Sequence, residues 1–145
     1  MRRARKNFLT VTKPRARARF SLNVEGVKNE RELQAKLCKW LDYALPREWR
    51  YFATLNGVAL GGTPASRAKR INALKAQGLK LGVCDLIFLR RDGMRWCGAE
   101  LKFGNRPTTD GQDDWISWAG GNIATANCRE KLADLLNKHG VGIAP

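Results

Sequence analysis

Residues 83–102 read Val-Cys-Asp-Leu-Ile-Phe-Leu-Arg-Arg-Asp-Gly-Met-Arg-Trp-Cys-Gly-Ala-Glu-Leu-Lys, the pattern of two β-strands joined by a turn at Asp92-Gly93. Asp-Gly between strand-forming residues is typical of a type I′ hairpin turn, in which both central residues have φ > 0. With a two-residue loop, counting outward places Asp85 directly opposite Glu100. The sequence therefore predicts a hairpin that brings two carboxylates together.

Directly opposed residues of a hairpin share one face of the sheet, with Cβ atoms about 4.5–5.5 Å apart. Lys102 lies two residues beyond Glu100 and therefore points to the same face. Two adjacent carboxylates repel unless a cation lies between them, and Mg²⁺ commonly takes one or two carboxylates, with waters and substrate phosphate. Alternatively, these are ordinary polar positions of a half-exposed hairpin, with Lys102 neutralising one acid. The apolar run at residues 86–89 favours the metal site, because it suggests a strand covered on both faces.

These residues also carry a resemblance to a known family. Asp85, followed by Glu100-Leu-Lys102, is similar to the PD-(D/E)XK nuclease motif, and the wider pattern resembles its VRR-NUC branch, the virus-type replication-repair nucleases. The other matching segments, in family order, are residues 29–34 (Asn-Glu-Arg-Glu-Leu-Gln), 78–85 (Gly-Leu-Lys-Leu-Gly-Val-Cys-Asp) and 109–112 (Thr-Asp-Gly-Gln) before Trp115. The resemblance extends from about residue 28 to residue 145. One departure is Cys84, since the family usually has proline before the aspartate.

The resemblance implies an α/β fold with a restriction-endonuclease-like core, a central mixed β-sheet of about four strands flanked by helices. The predicted element order, which is helix, strand, helix, hairpin, helix, strand and helix, also fits this core. A single domain is expected at residues 21–145, after a basic arm at residues 1–20 that is expected to be disordered. The implied activity is metal-dependent hydrolysis of phosphodiester bonds in DNA, with junctions and flaps as candidate substrates.

The resemblance also assigns the site residues. Asp85 and Glu100 would hold Mg²⁺ or Mn²⁺ together with the backbone carbonyl of Leu101. Lys102 would orient the attacking water or contact the charged phosphate. The other members of the implied catalytic group are Glu30, Gln34 and Gln112.

Glu30 and Gln112 have structural explanations as well. Glu30 lies in the first turn of a helix that we expect to begin after the N-cap Asn29, and an acid there complements the helix dipole. Gln112 follows Thr109 by three residues in a capping box, in which the glutamine side chain returns a hydrogen bond to the backbone of the cap. Both explanations stay open beside the catalytic one.

The composition is strongly basic, with 27 Lys and Arg against 13 Asp and Glu and a net charge of +14. Such a charge attracts polyanions, of which nucleic acid is the commonest. No apolar run has membrane length and no signal peptide is evident, so we expect no membrane partner. The four cysteines lack CxxC spacing, which argues against a zinc cluster and suits reduced thiols inside a cell, in the cytoplasm or nucleoid, including that of a phage host. The only histidine, His139, is predicted to lie at the end of a helix.

Two basic segments are candidates for nucleic-acid contacts. The arm contains eight cations and no acid, so it could neutralise phosphates without reading sequence, or could serve as a solubilising tail. A second helix is predicted between Thr63-Pro64 and Gly78, and its basic face could either follow phosphates or be merely solvated. The candidate contact residues are Arg15, Arg17 and Arg19 of the arm and Arg67, Lys69, Arg70 and Lys75 of the helix.

The main alternative to a nuclease is a basic nucleic-acid-binding module without catalysis, and a structural RNA-binding protein is a third class. Net charge supports all of them. The acid pair distinguishes the nuclease from the two non-catalytic classes, because two carboxylates that face a phosphate backbone repel it unless a cation lies between them. The sequence leaves open the preferred DNA structure and the choice between endonuclease and exonuclease. A homodimer is suggested only by analogy with dimeric junction-cutting nucleases.

Overall fold

The computed structural model describes residues 26–54 and 61–145. The basic arm, with Arg15, Arg17 and Arg19, therefore lies outside the described residues. The described elements are, in chain order, α1 (Glu30–Ala44), β1 (Trp49–Ala53), α2 (Pro64–Ala76), β2 (Leu86–Arg90), β3 (Trp96–Leu101), α3 (Asp110–Trp118), β4 (Ile123–Ala126) and α4 (Arg129–Lys138).

The four strands form one mixed sheet in the order β1-β2-β3-β4. The first three strands are antiparallel to their neighbours, whereas β4 pairs with β3 in parallel. A parallel pair needs a crossover connection, and α3 supplies it. The predicted α/β fold, with a mixed sheet of about four strands flanked by helices, is confirmed.

One face of the sheet forms the hydrophobic core with α1 and α4. Leu86 lies opposite Ala99 and Phe88 opposite Cys97, and all four side chains are buried on that face. Fully burying a leucine-sized side chain contributes about 1.5–3 kcal/mol to stability. The two helices therefore contribute much of the buried apolar area that stabilises the fold. Their buried residues are Leu33, Leu37, Trp40 and Leu41 of α1 and Leu132, Ala133, Leu135 and Leu136 of α4.

The opposite face carries Glu100 and is only partly covered. Gln112 of α3 bonds to Glu100, so α3 lies over this face. One expectation about burial was wrong. The side chain of Leu89 is 44% exposed, so β2 is not covered on both faces along its whole length. Helix α2 buries none of its residues, and its most covered apolar residues, Ile71 and Leu74, are half-buried.

The helix ends follow their capping residues. The Asn29 side chain accepts a hydrogen bond from the Glu32 N–H at 3.0 Å, and Thr63 caps α2 ahead of Pro64. Helix α4 begins at Arg129, with Cys128 as N-cap. One residue earlier, the side-chain amide of Asn127 donates to the carbonyl of Gly104 at 3.1 Å. In the described part of the chain, no helix combines the length and apolar character needed to cross a membrane.

The turn between β2 and β3 differs from the predicted type I′ turn. Arg90 pairs with Arg95, so four residues, 91–94, form the loop, and only Gly93 has a positive φ, of 68°. Asp92 avoids the left-handed region because its carboxylate accepts the Met94 N–H at 3.0 Å and pairs with Arg90. A four-residue loop leaves the same residues facing each other as the predicted two-residue loop, so the register is unchanged.

Candidate active site

Asp85 lies just before β2 rather than inside it, which corrects the predicted start of the strand at residue 83. The backbone carbonyl of Asp85 still accepts the N–H of Thr54, the residue after β1, at 2.9 Å. On the other side, the Asp85 carboxylate accepts the Leu101 N–H at 2.8 Å. The Leu101 N–H points toward the β2 side of the sheet, but β2 does not extend this far and offers no backbone carbonyl there. The Asp85 side chain accepts this hydrogen bond instead. The carboxylate is thereby fixed at the end of β3.

The approach of the chain to Asp85 depends on a close contact between two glycines. Gly82 has a φ of 82°, and a Cβ atom at this position would lie 2.5 Å from the backbone oxygen of Gly111. The loop before Asp85 can therefore touch the first turn of α3 only because residue 82 has no side chain. Trp115 of α3 reinforces the contact by donating its indole N–H to the Leu81 carbonyl at 3.2 Å.

Glu100 lies in β3 across from Asp85, as the hairpin register predicts. The observed pairing of Leu86 with Ala99 places the next pair outward at Asp85 and Glu100, on the face opposite the core. Glu100 is 1% exposed. One of its oxygens, Oε1, lies 3.1 Å from the Lys102 Nζ and accepts a hydrogen bond from the Gln112 amide. The other, Oε2, is buried without a hydrogen-bond partner among the described residues.

The electrostatics of this group show a shortage of positive charge. Burial, and after it the charge of Asp85, raises the pKa of Glu100 to about 7, although Lys102 acts in the opposite direction. Burial also raises the pKa of Asp85, while the Leu101 N–H lowers it and the charge of Glu30 raises it. An unpaired buried carboxylate oxygen is costly. An additional cation beside Asp85 and Glu100 would relieve this cost.

Gln112 joins Lys102 to Glu100 and to the start of α3. The Gln112 Oε1 accepts hydrogen bonds from the Lys102 Nζ at 2.8 Å and from the Thr109 N–H at 2.9 Å, and its amide nitrogen donates to Glu100. Lys102 is 9% exposed, so these contacts hold its ammonium group in place. The return bond of the predicted capping box is therefore present, and the same amide belongs to the candidate site.

The structure brings some of the other candidates to the site and leaves others outside it. Glu30 is half-buried at the start of α1, close enough for its charge to act on both carboxylates. Gln34, one turn further, makes no hydrogen bond to this group among the described residues. Leu101 contributes only its backbone, since its side chain is buried in the core. The α2 candidates, which are all exposed and form no described ion pair with the site, are Arg67, Lys69, Arg70 and Lys75.

The donor set fits a hard divalent cation with few protein ligands. Within residues 26–54 and 61–145, no cluster of three or more His, Cys, Asp or Glu residues is arranged to hold a metal ion. Two carboxylates, one with a buried oxygen that lacks a partner, nevertheless suit Mg²⁺ or Mn²⁺, because Mg²⁺ keeps several waters and is often held by one or two carboxylates and substrate phosphate. A closed zinc site, which needs four nitrogen or sulfur ligands, does not fit these residues.

One neighbour of the site was missed by the sequence analysis. Thr125 of β4 lies directly beside Glu100 in the parallel pair, on the same face of the sheet. The register of a parallel pair is set by the crossover through α3 and not by a short turn, so no local signal marks this neighbour.

A comparison with protein-family models finds no match, and no curated protein or solved structure is significantly similar to the chain. The resemblance to the VRR-NUC nucleases rests on the residues described above.

Proposed function

We propose that the protein is a divalent-metal-dependent nuclease that hydrolyses phosphodiester bonds in DNA. The observation that carries this proposal is the buried Glu100 carboxylate, which faces Asp85 and leaves one oxygen without a partner. A protein that only grips nucleic acid gains nothing from two carboxylates at the surface it offers to phosphate. A nuclease needs them to hold its cation.

Each residue of the group has a role in this proposal. Asp85 and Glu100 would hold Mg²⁺ or Mn²⁺, joined by the backbone carbonyl of Leu101, which lies on the β2 side of β3 as does the N–H that Asp85 binds. A bound divalent ion supplies positive charge to the phosphate and lowers the pKa of a bound water. Lys102 provides a second positive charge for the phosphate or positions the water. Gln112 holds Lys102 beside Glu100.

The positive charge of the protein supports a nucleic-acid substrate. The net charge of +14 attracts the phosphate backbone, and the exposed cations of α2 can neutralise phosphates without reading bases. The VRR-NUC resemblance favours DNA, with flaps or junctions as candidate substrates, and a role in replication, recombination or repair. By the same analogy we propose action inside a cell, which can be the host of a phage, and a homodimer as the arrangement to test first.

The second candidate function is a basic nucleic-acid-binding module without catalysis. The ion pair between Lys102 and Glu100 favours it, because the two groups lie 3.1 Å apart and neutralise each other in the absence of any metal. In that case Glu100 would serve to fix Lys102. The unpaired Oε2 of Glu100 and the proximity of Asp85 have no purpose in such a module, and we therefore place the nuclease first.

The deciding experiment is a cleavage assay on labelled linear, flapped and four-way DNAs with Mg²⁺, Mn²⁺ or EDTA, together with calorimetry of Mn²⁺ binding. The parent protein should cut at least one DNA and bind the ion. Glu100→Gln should do neither, because it removes one of the two negative charges that hold the cation. Glu48→Gln is the matched control, since Glu48 is an exposed acid outside the site. If the parent cuts none of the DNAs and binds no ion, the binding module replaces the nuclease.

A further inference from the structure

A second feature adjoins the candidate active site. An open pocket of about 360 Å³ lies at the carboxyl ends of the parallel strands β3 and β4. Its wall is formed by Lys102 after β3, the loop at residues 104–108, the end of β4 and Lys131 of α4. The residues that line it include three cations, Lys102, Arg106 and Lys131, and no acid. A pocket with this lining suits an anion.

The pocket lies on the same side of the sheet as the carboxylates. Thr125 lines the pocket and is the direct neighbour of Glu100 in the parallel pair. Adjacent strands lie about 4.8 Å apart, so the pocket begins one strand spacing from Glu100. Lys102 belongs to both sites, because its ammonium group contacts Glu100 and its side chain lines the pocket.

The loop that forms the pocket is tied down at both ends. Near its start, the Asn127 side chain donates a hydrogen bond to the Gly104 carbonyl at 3.1 Å. At its end, the Thr108 hydroxyl binds the carboxylate of Asp113 in α3. A preorganised site avoids much of the entropy cost of ordering a loop on binding. The pocket is therefore available in the protein without its ligand.

Arg106 and Lys131 are the two pocket cations that have no other assigned role. Both are exposed, and in the described part of the chain neither forms an ion pair or a side-chain hydrogen bond. The nearby acid Glu130 is paired with Arg129 at 3.7 Å instead. Two cations from different elements, a loop and a helix, thus face one cavity beside Glu100.

We propose that this pocket is a subsite for a backbone phosphate, namely the phosphate next to the cleaved one on the same nucleic-acid strand. The inference rests on the proposed nuclease function for the identity of the cleaved phosphate. It deepens that function by placing the nucleic-acid strand across the carboxyl ends of β3 and β4. Arg106 and Lys131 bind the neighbouring phosphate, while Lys102 lies between the two phosphates. The strand then runs from the carboxylates toward the amino end of α4.

The test measures binding in EDTA, so that it does not depend on cleavage. The probes are DNA oligonucleotides that each carry one neutral methylphosphonate in place of a phosphate, at successive positions along the whole strand. If the parent cuts this DNA with Mg²⁺, the positions are numbered from the cleaved bond. The proteins are the parent, the double variant R106A/K131A, the charge-keeping variant R106K/K131R, and the control K39A/R47A. The control removes the same charge from exposed positions outside the pocket.

For the parent, neutralising the phosphate next to the cleaved bond should weaken binding by on the order of ten-fold, as expected for the loss of a charge-assisted contact. R106A/K131A should bind all the oligonucleotides more weakly than the parent does. Its affinity should not change further when the phosphate next to the cleaved bond is replaced by a methylphosphonate. Its slope of log K against log salt should be shallower by about 0.7–0.9, the value for one phosphate contact. R106K/K131R and K39A/R47A should both keep the sensitivity of the parent to that methylphosphonate.

Several results would overturn the subsite. One is a double variant that keeps the position dependence of the parent, and another is a sensitive position that does not adjoin the cleaved bond. A third is competition by inorganic phosphate at submillimolar concentration, because that would identify a site for free phosphate. Failure of the nuclease proposal looks different: the parent cuts nothing, yet one methylphosphonate position still separates the parent from R106A/K131A in EDTA. That result would retain a backbone-phosphate site and remove the catalysis.

Discussion

Replacing Glu100 by glutamine should stabilise the protein when no divalent ion is present. The side chain is 1% exposed, and its Oε2 atom lacks a hydrogen-bond partner among the described residues. Glutamine keeps the size of the side chain and an oxygen that can accept from Lys102, while it removes the charge. The variant therefore reports the net cost of burying this carboxylate, which includes the loss of its 3.1 Å ion pair with Lys102.

The magnitude follows from the pKa of Glu100, which burial and the charge of Asp85 raise from 4.5 to about 7. A pKa difference of about 2.5, at about 1.4 kcal/mol per pH unit, corresponds to an upper value of about 3.5 kcal/mol. Because the folded pKa is raised, the protonated form is the favoured one in the folded state. This contribution to stability is fully present below pH 4.5 and is lost as the pH rises through 7. Glutamine does not titrate and loses nothing over this range.

The assay is urea denaturation in EDTA between pH 4.5 and pH 8.5. We expect Glu100→Gln to exceed the parent by about 1–3 kcal/mol at pH 8, and the gap to close toward pH 4.5. Mg²⁺ at 1,000 times its Kd should then reverse the order, since a ligand at that concentration stabilises the folded parent by about 4.1 kcal/mol and has no site in the variant. Glu48→Gln should follow the parent throughout. A variant that is less stable than the parent at pH 8 in EDTA would refute this reasoning, because the ion pair with Lys102 would then outweigh the cost of burying the Glu100 charge.

Three further predictions concern other parts of the molecule. Lys102→Ala should lower cleavage on the order of 10²–10³-fold, as loss of an electrostatic group typically does, and should weaken metal-free DNA binding slightly; unchanged cleavage rates would exclude Lys102 from the chemistry. Gly82→Ala should lower the free energy of unfolding by more than Gly93→Ala does. Both glycines have a positive φ, but only a Cβ at Gly82 would meet backbone, at 2.5 Å from the Gly111 oxygen. Equal melting temperatures of the two variants would contradict this. Deletion of residues 1–19 should make the dependence of DNA affinity on salt shallower and leave Mn²⁺ binding intact; an unchanged salt slope would show that the arm does not contact DNA.

Local signals were sufficient to predict much of the fold. Asn29 and Thr63 mark helix starts through short-range side-chain hydrogen bonds, and both lie where they were expected. The register of the hairpin was also predicted, although the turn type was wrong. Lengthening the loop by one residue on each side leaves every facing pair unchanged, so Glu100 remained opposite Asp85. A one-residue bulge would have turned one of the carboxylates to the other face.

Features that depend on distant parts of the chain could not be predicted in the same way. The apolar residues of α2 have helical spacing, but spacing does not show whether another element covers them, and α2 buries none of its residues. The position of β4 beside β3 depends on the crossover, so Thr125 was not recognised as a neighbour of Glu100. Nor does any local pattern show that Arg106 and Lys131, 25 positions apart in the sequence, line the same pocket.

Gln112 shows how one side chain can satisfy two explanations that the sequence presents as alternatives. As the third residue of α3, it returns a hydrogen bond to the Thr109 N–H, which is a purely structural function. The same oxygen accepts from Lys102, and the amide nitrogen donates to Glu100. Since both donors contact the oxygen, the amide can take only one orientation, and the helix cap fixes it. A glutamate at this position would cap α3 equally well but would place a negative charge against Glu100. The capping box therefore explains an acceptor at position 112, and only the neighbouring carboxylate explains why it is an amide.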